Sequence, residues 1–377
     1  MRVVILGAET GGGHKSVMKA LSSQFKKWDI IVEEYPSFYE DLYESNRILS
    51  NFYNMSQSRS MQLGVLLNEI MVMEGEQQRE KLYTLYLESL YRFFSNKCDV
   101  IISVSSLINY HIIRFFKEKR VDYSALFYIV VTDPYNPMYP GFDVVGATKY
   151  FCPTQISKKQ LMKSLIPEEK IYFWGYPVKS EFFNTTHSKY LKKKLGINKD
   201  IVVMINCGMV GSFSFFELIT ELVQKAKHIY FLIICGKNKI LFNLVNTNLN
   251  DADNCTVFSY VDKMVDLYKI SDICITKPGA NAIFEALITK TIPFVYDFEG
   301  LMYQEKGVHE FLSEIVDIDI RFANLECMKN YIINKVDLNI IRDLKEKVSL
   351  YKQSDASYKI VKTILQEYSE SKSLSIM

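Results

Sequence analysis

Eleven short runs rich in Val, Ile and aromatic residues recur along the chain, most of them separated by longer stretches with helical spacing. Six fall in the first half, at 2–7, 29–35, 98–104, 124–133, 149–154 and 171–177. Five follow, at 201–207, 229–235, 254–260, 272–277 and 292–297. Runs such as "VVMIN" and "YFLII" do not alternate apolar with polar residues. They read as strands buried on both faces, which requires a parallel sheet covered by helices on each side. Two such series predict an α/β chain of two doubly wound, Rossmann-like domains facing each other across a cleft. The 377 residues suffice for two cores. The stretch "GYPVKSEFF" (175–183) marks the junction, because Pro177 closes the last run of the first series. The expected domains are therefore 1–178 and 179–355. Residues 356–377 form a helix and tail expected to pack back on the first domain.

One insert interrupts the series: residues 40–97 contain no clear strand. Within it, "LYTLYLESLYRFF" (82–94) places Leu82, Leu85, Tyr86, Ser89, Leu90 and Phe93 at helical spacing, a stripe expected in the core. The segment "MQLGVLLNEIMVMEG" (61–75) reads first as core too. The alternative is that it lines an apolar acceptor pocket or touches a bilayer. No run of about 18 apolar residues exists, and "RVVILG" opens a strand, not a signal peptide. Both features point to the cytosol. Seven cysteines without Cys-x-x-Cys spacing read as reduced, buried thiols, and five dispersed histidines give no support to a metal site. A net charge of +2 argues against bulk nucleic-acid binding. The charge is uneven, however: ten lysines lie from Lys158 to Lys199, against Glu168, Glu169 and Glu181. A solvated face is the expected reading, and a patch for anionic lipid headgroups or an anionic ligand is the other.

The connections after the strands carry the chemistry. "GAETGGGHKS" (7–16) resembles a P-loop, but that pattern needs glycine where His14 and Glu9 stand. After 201–207 comes "GMVGS", with Gly208, Gly211 and Ser212. After 272–277 comes Pro278-Gly279-Ala280-Asn281, with Glu285 one turn into the next helix. Small residues let backbone amides approach a ligand, and a helix start favours anions. Two such turns on one sheet suggest a diphosphate site. Neither matches the Gly-x-Gly-x-x-Gly dinucleotide fingerprint, which disfavours a dehydrogenase.

"CGKNKILFNL" (235–244), "FSYVDKMVDLYKISDICITKPGANAIFEAL" (258–287) and "YQEKGV" (303–308) resemble the donor half of the monogalactosyldiacylglycerol synthase-like glycosyltransferases, a group that includes the processive diacylglycerol glucosyltransferases. "TGGGHKSVMKAL" (10–21), "VVTDP" (130–134) and "GYPV" (175–178) resemble motifs of its first half. A more distant similarity is to the peptidoglycan N-acetylglucosamine transferase. The resemblance implies a GT-B fold, a UDP-sugar donor on the second domain, and inversion at the anomeric carbon with no cofactor and no metal. It implies that Glu285 grips the donor ribose as an ionised carboxylate. Pro278, Gly279, Ala280 and Asn281 then bind the donor, the last three presenting amides to the diphosphate. Gly208, Gly211 and Ser212 line the diphosphate's other side. Tyr260, Val261 and Met264 hold the base, Gln304 and Glu305 read the sugar hydroxyls, and Asn238 supports the pocket.

Transfer needs a base for the acceptor hydroxyl and a stabiliser for the leaving nucleoside diphosphate. His14, after the glycine loop, and Asp133, at a strand end, are the candidates for the base. Asp133 can instead orient His14 and stabilise its charged form. Gly12 and Gly13 clear space for the acceptor or the diphosphate. After "TDP" stands "YNPMYP", where the family typically has a histidine and a tryptophan, so the acceptor can differ from diacylglycerol. A lipid, met by peripheral contact at the inner membrane face, and a hydrophobic secondary metabolite such as an antibiotic precursor both fit. The rival readings are a UDP-sugar epimerase and a catalytically dead nucleotide-sugar sensor.

Overall fold

The computed structural model describes residues 1–10, 12–73, 76–184 and 188–374. All eleven expected runs hold a strand: β1 (Val3–Leu6), β2 (Val32–Tyr35), β3 (Val100–Ser103), β4 (Leu126–Val130), β5 (Lys149–Cys152), β6 (Ile171–Phe173), β7 (Ile201–Asn206), β8 (Ile229–Ile234), β9 (Cys255–Phe258), β10 (Ile273–Thr276) and β11 (Ile292–Val295). The first sheet has the order β2-β1-β3-β4-β5-β6 and the second β11-β10-β7-β8-β9. Every pairing is parallel. The absence of alternation has its cause in β1. Val3 and Ile5 enter one core with Val17 and Leu21, while Val4 and Leu6 enter another with Ile108 and Ile112. Edge strand β2 differs, with Glu34 exposed and Glu33 paired to Arg2 at 2.7 Å.

Both sheets reverse their winding once, between β1 and β3 in the first and between β7 and β10 in the second. Connections leaving the strands' carboxyl ends diverge there and open a crevice. The glycine loops after β1, β7 and β10 all sit at these two points.

The insert folds as helices Phe38–Leu42, Glu44–Arg59, Met61–Val72 and Glu76–Phe94. Its buried stripe is Tyr83, Tyr86, Leu90 and Phe94, while Leu85 is 47% exposed. The expected set was too wide for one helix face. The side that packs against His111 and Phe115 of the helix Ser106–Lys117 begins at Tyr83. The core reading of 61–75 is also corrected. Leu63, Leu66, Ile70 and Met73 are exposed, and the side that is covered carries Asn68. That covered side docks on the second half of the chain, with Val65 against Gly300 and Glu69 paired to Lys306 at 3.2 Å. Residues 74 and 75 lie outside the described residues.

The chain crosses between halves at 174–184 and returns at 349–355. Gln353 locks the two crossings together: its Nε2 donates to the Tyr176 carbonyl at 2.7 Å, and its Oε1 accepts from the Tyr176 N–H at 3.0 Å. The helix Ala356–Leu374 then packs on the first sheet's side of the molecule, along the helix Gly13–Lys26. Ala356, Ile360, Val361 and Ile364 are buried there, and Tyr128 donates to Glu367 at 2.9 Å. The cysteines are free. Five are buried and Cys255 is half-buried, whereas Cys327, on the polar helix Leu325–Asn334, is exposed against expectation.

Candidate active site

A cavity of about 470 Å³ lies between the carboxyl ends of the two sheets, within the size range of small-molecule sites. The first half contributes Gly12, Gly13, His14 and Asp133. The second contributes Gly208 after β7, Tyr260, Val261 and Met264 after β9, and Gly279, Ala280, Asn281 and Glu285 after β10. Gln304 and Glu305 close one end.

Four residues expected at the site stand behind its wall instead. A Cβ on Gly211 would lie 2.1 Å from the Cys235 carbonyl, and its φ is +70°, so glycine lets two loops interlock there. Asn238 fixes that contact, donating to the Gly211 carbonyl at 2.9 Å while its Oδ1 caps the helix Lys239–Asn248 at the Leu241 N–H. Ser212 is fully buried with its Oγ turned to Ser214 Oγ at 3.1 Å. Pro278 shapes the turn without lining the cavity.

His14 sits in the first turn of the helix Gly13–Lys26, its Nδ1 3.4 Å from the Ala8 carbonyl. A carbonyl only accepts, so this contact places the proton on Nδ1 and leaves a lone pair on Nε2. Burial pushes the imidazole down to about 4, which keeps it neutral near pH 7. Asp133 lies three residues beyond β4, 9% exposed, with its Oδ2 accepting from the Tyr139 N–H at 2.9 Å. Burial pushes this carboxyl up to about 7, the Tyr139 N–H opposes the shift, and the Glu305 carboxylate adds to it. No hydrogen bond joins Asp133 to His14, so the expected orienting pair is not formed. The P-loop comparison also ends here, because Lys15 spends its ammonium on Glu9 at 2.8 Å.

The two walls touch. Asn281 donates to the Gly13 carbonyl at 3.2 Å, and a Cβ on Gly12 would meet the Met209 side chain at 3.2 Å. The glycines therefore let the halves approach. Two polar atoms on the cavity wall, Asn281 Oδ1 and Tyr135 Oη, are buried without a partner. Such atoms cost stability until a ligand or water satisfies them.

Glu285 rides on the helix Ala280–Thr289, whose N-cap Gly279 offers no side-chain cap and whose first turn has no acid. The helix start thus faces the cavity with its amides uncompensated. Burial pushes Glu285 up to about 8, against the opposing influence of the Lys179 ammonium and the Tyr268 hydroxyl. At that value Glu285 is mostly a neutral acid near pH 7.

Two groups of residues were missed. Lys277 stands inside the stretch 258–287, next to the Pro278-Gly279 turn. It lines the cavity with no carboxylate within 4.0 Å among the described residues, and burial holds its ammonium below the usual range. Tyr53, Gln57 and Asn68 reach the cavity from the insert. Asn68 donates to Gln304 Oε1 at 3.3 Å and accepts from the Tyr303 N–H at 2.8 Å, a pairing across 236 residues that no local pattern signals. Among the described residues, one carboxylate trio, Glu217, Glu221 and Glu326, has metal-like spacing. The Lys329 ammonium already fills it, at 2.8 Å from Glu217 and 2.6 Å from Glu221.

Two Rossmann-like domains with glycine loops meeting at facing switch points define a GT-B-type fold. Residues 14–178 match the family described as monogalactosyldiacylglycerol (MGDG) synthase, and residues 202–366 match the glycosyltransferase family 28 C-terminal domain. The chain is a glycosyltransferase, similar in its first half to the monogalactosyldiacylglycerol synthase family and in its second to glycosyltransferase family 28. A processive diacylglycerol beta-glucosyltransferase of Bacillus cereus is 25% identical over 97% of this chain and 94% of its own length. Among solved structures, the fold is shared with a UDP-GlcNAc 2-epimerase from Neisseria meningitidis bound to UDP-GlcNAc, at TM-score 0.60 and 15% identity, covering 97% of this chain and 100% of that one. It is also shared with Acinetobacter baumannii MurG, at TM-score 0.59 and 14% identity, covering 97% and 99%. No helix among the described residues is long and apolar enough to cross a membrane.

Proposed function

We propose that this glycosyltransferase moves a hexose or N-acetylhexosamine from a UDP-sugar to a hydroxyl of a lipid or other hydrophobic acceptor, inverting the anomeric carbon. One observation carries the reading. An uncapped helix start, Lys277 and the Glu285 carboxyl face His14 and Asp133 across a single cavity. Residues 1–178 hold the acceptor and residues 179–355 the donor. The neutral His14 Nε2 takes the acceptor proton as the oxygen attacks. The bond from the anomeric carbon to the diphosphate breaks, and the Gly279–Asn281 amides and Lys277 take up the charge that develops on UDP. The name of the Bacillus cereus relative supports the lipid acceptor, and the ligand of the Neisseria epimerase supports the UDP-sugar.

The exposed row Leu63, Leu66 and Ile70, continued by Met73 just past the helix end, lies on the helix whose other side closes the cavity. It is the surface by which the acceptor's membrane is met. The test is a panel of UDP-sugars with diacylglycerol vesicles, products read by mass spectrometry. A glycolipid with inverted linkage is expected. Conversion of UDP-GlcNAc without any acceptor would favour an epimerase instead. Leu66→Ser with Ile70→Ser should release the protein from vesicles, and undiminished sedimentation would remove the membrane contact.

A further inference from the structure

Gln304 and Glu305, proposed to read the donor sugar, sit on a connection with little regular structure. It leaves β11 at Val295 and enters the helix Val308–Val316, and between them only Tyr303–Glu305 forms a single helical turn. Two backbone bonds fold the connection on itself. The Gly300 N–H donates to the Asp297 carbonyl at 3.0 Å, and the Glu305 N–H to the Met302 carbonyl at 2.8 Å. The first half adds contacts of its own. Tyr53 Oη donates to Met302 Sδ at 2.9 Å, Asn68 holds Tyr303 and Gln304, and Glu69 pairs with Lys306. The Asn136 carbonyl stands where a Cβ on Gly307 would approach it to 2.5 Å. Each of these first-half contacts parts when the two halves do.

One side-chain contact does not. His309, the second residue of the helix Val308–Val316, places its Nε2 2.8 Å from Oδ2 of Asp297, two residues past β11. A carboxylate only accepts, so Nε2 carries the proton. The two residues are twelve apart in sequence and stand at the two ends of the connection. Both belong to the second half. Their side chains are 11% and 22% exposed, so water competes little for the bond. Neither lines the active-site cavity, so neither touches a ligand there. The strand fixes Asp297 and the helix fixes His309, and the bond between them closes the base of the loop that carries Gln304 and Glu305.

We propose that His309 and Asp297 are positioning residues, a clasp that holds Gln304 and Glu305 ready for the donor sugar without help from the first half. The proposal rests on the donor reading above and deepens it. Sugar recognition is prepared within the second half, while the insert adds its contacts only when the halves are together.

The test is calorimetry on the full chain without acceptor, with UDP-glucose, UDP-GlcNAc and UDP as ligands. The quantity read is the ratio of the better sugar nucleotide's affinity to that of UDP. In His309→Ala and in Asp297→Ala this ratio should fall about fivefold or more with UDP affinity held, because a charge-assisted bond is lost from the sugar-reading loop alone. His309→Gln puts an amide N–H where the Nε2–H stood and should keep the ratio within about twofold of the wild type. Asp297→Asn keeps the acceptor oxygen without its charge and should fall between, which holds the test open if an alanine variant does not fold. A role in folding alone would lower UDP and UDP-sugar affinity together, and that result overturns the proposal. In an Asn68→Leu background His309→Ala should still lower the ratio. If it adds nothing there, the clasp acts only through the insert and the proposal fails. Gln304→Ala and Glu305→Ala separate this failure from failure of the donor reading. If neither changes the ratio, the donor reading falls and the clasp with it. If they lower it and the clasp variants do not, the clasp alone falls.

Discussion

At the scale of single residues the cavity holds two candidate bases with opposite histories. Burial has made His14 a weak, neutral base and Asp133 a carboxyl that titrates near neutrality. A base must be deprotonated to act, so activity falls as pH drops through its pKa. With His14 as the base, the acid limb of kcat/KM lies near 4 and survives in Asp133→Asn. A limb near 7 that vanishes in that variant would move the role to Asp133. His14→Ala should lower kcat about a hundredfold or more with UDP affinity intact. Glu285 makes a separate prediction. Ribose hydroxyls donate more strongly to a carboxylate than to a carboxylic acid. Because burial raises its pKa to about 8, binding of ribose to the carboxylate below that pH must release a proton. Uridine affinity should therefore rise up to about tenfold per unit between about pH 6 and 8. Calorimetry in buffers of different ionisation enthalpy should show the released proton. Glu285→Gln should abolish both effects, and no proton release in the wild type would remove Glu285 from the ribose.

At the scale of elements the helix Met61–Val72 does what its composition hides. Its Leu63, Leu66 and Ile70 face outward, and its polar Asn68 supplies the contact that reaches the turn at Tyr303 and Gln304. Asn68→Leu leaves the Tyr303 N–H and the Gln304 side chain without these partners, a loss of about 1–3 kcal/mol if they stay unsatisfied. We expect the donor KM to rise about tenfold while uridine affinity holds, since the residues proposed to hold the base and ribose lie elsewhere. An unchanged KM would mean that Gln304 and Glu305 are positioned without the insert. The same helix shows where sequence reading stops. Strands such as β7 and β8 are legible because burial on both faces leaves an unbroken apolar run. The turn after β7 is legible because close approach and positive φ call for small residues, as at Gly211. Periodicity marks a helix but not which neighbour covers it. Thus 61–72 read as core, and the stripe on Glu76–Phe94 was placed too widely. Lys277 and Asn68 gave no signal of their own, because each gains its meaning from residues that only folding brings near.

At the scale of the whole molecule the last helix ties the chain's end to its beginning. The helix Ala356–Leu374 follows the second half in sequence but lies along Gly13–Lys26, the helix that carries His14. Gln24 on that helix donates to Asp355 at 2.6 Å, and Ser357 donates to the Val178 carbonyl at 2.8 Å. The second half is therefore held by two crossings and not one. Any opening of the cleft must bend both at residues 174–184 and 349–355. The fully buried Ile364 tests whether this helix belongs energetically to the first half. Truncating such a residue to alanine costs about 2–5 kcal/mol. If the halves open separately, Ile364→Ala should speed hydrogen exchange at the amides of β1 and β3 and leave those of β7 and β10 protected. With the donor site proposed for the second half, bound UDP should then raise protection in β7 and β10 without restoring β1. Equal acceleration in both sheets would show instead that the chain unfolds as one unit, with the crossings acting as struts and not hinges.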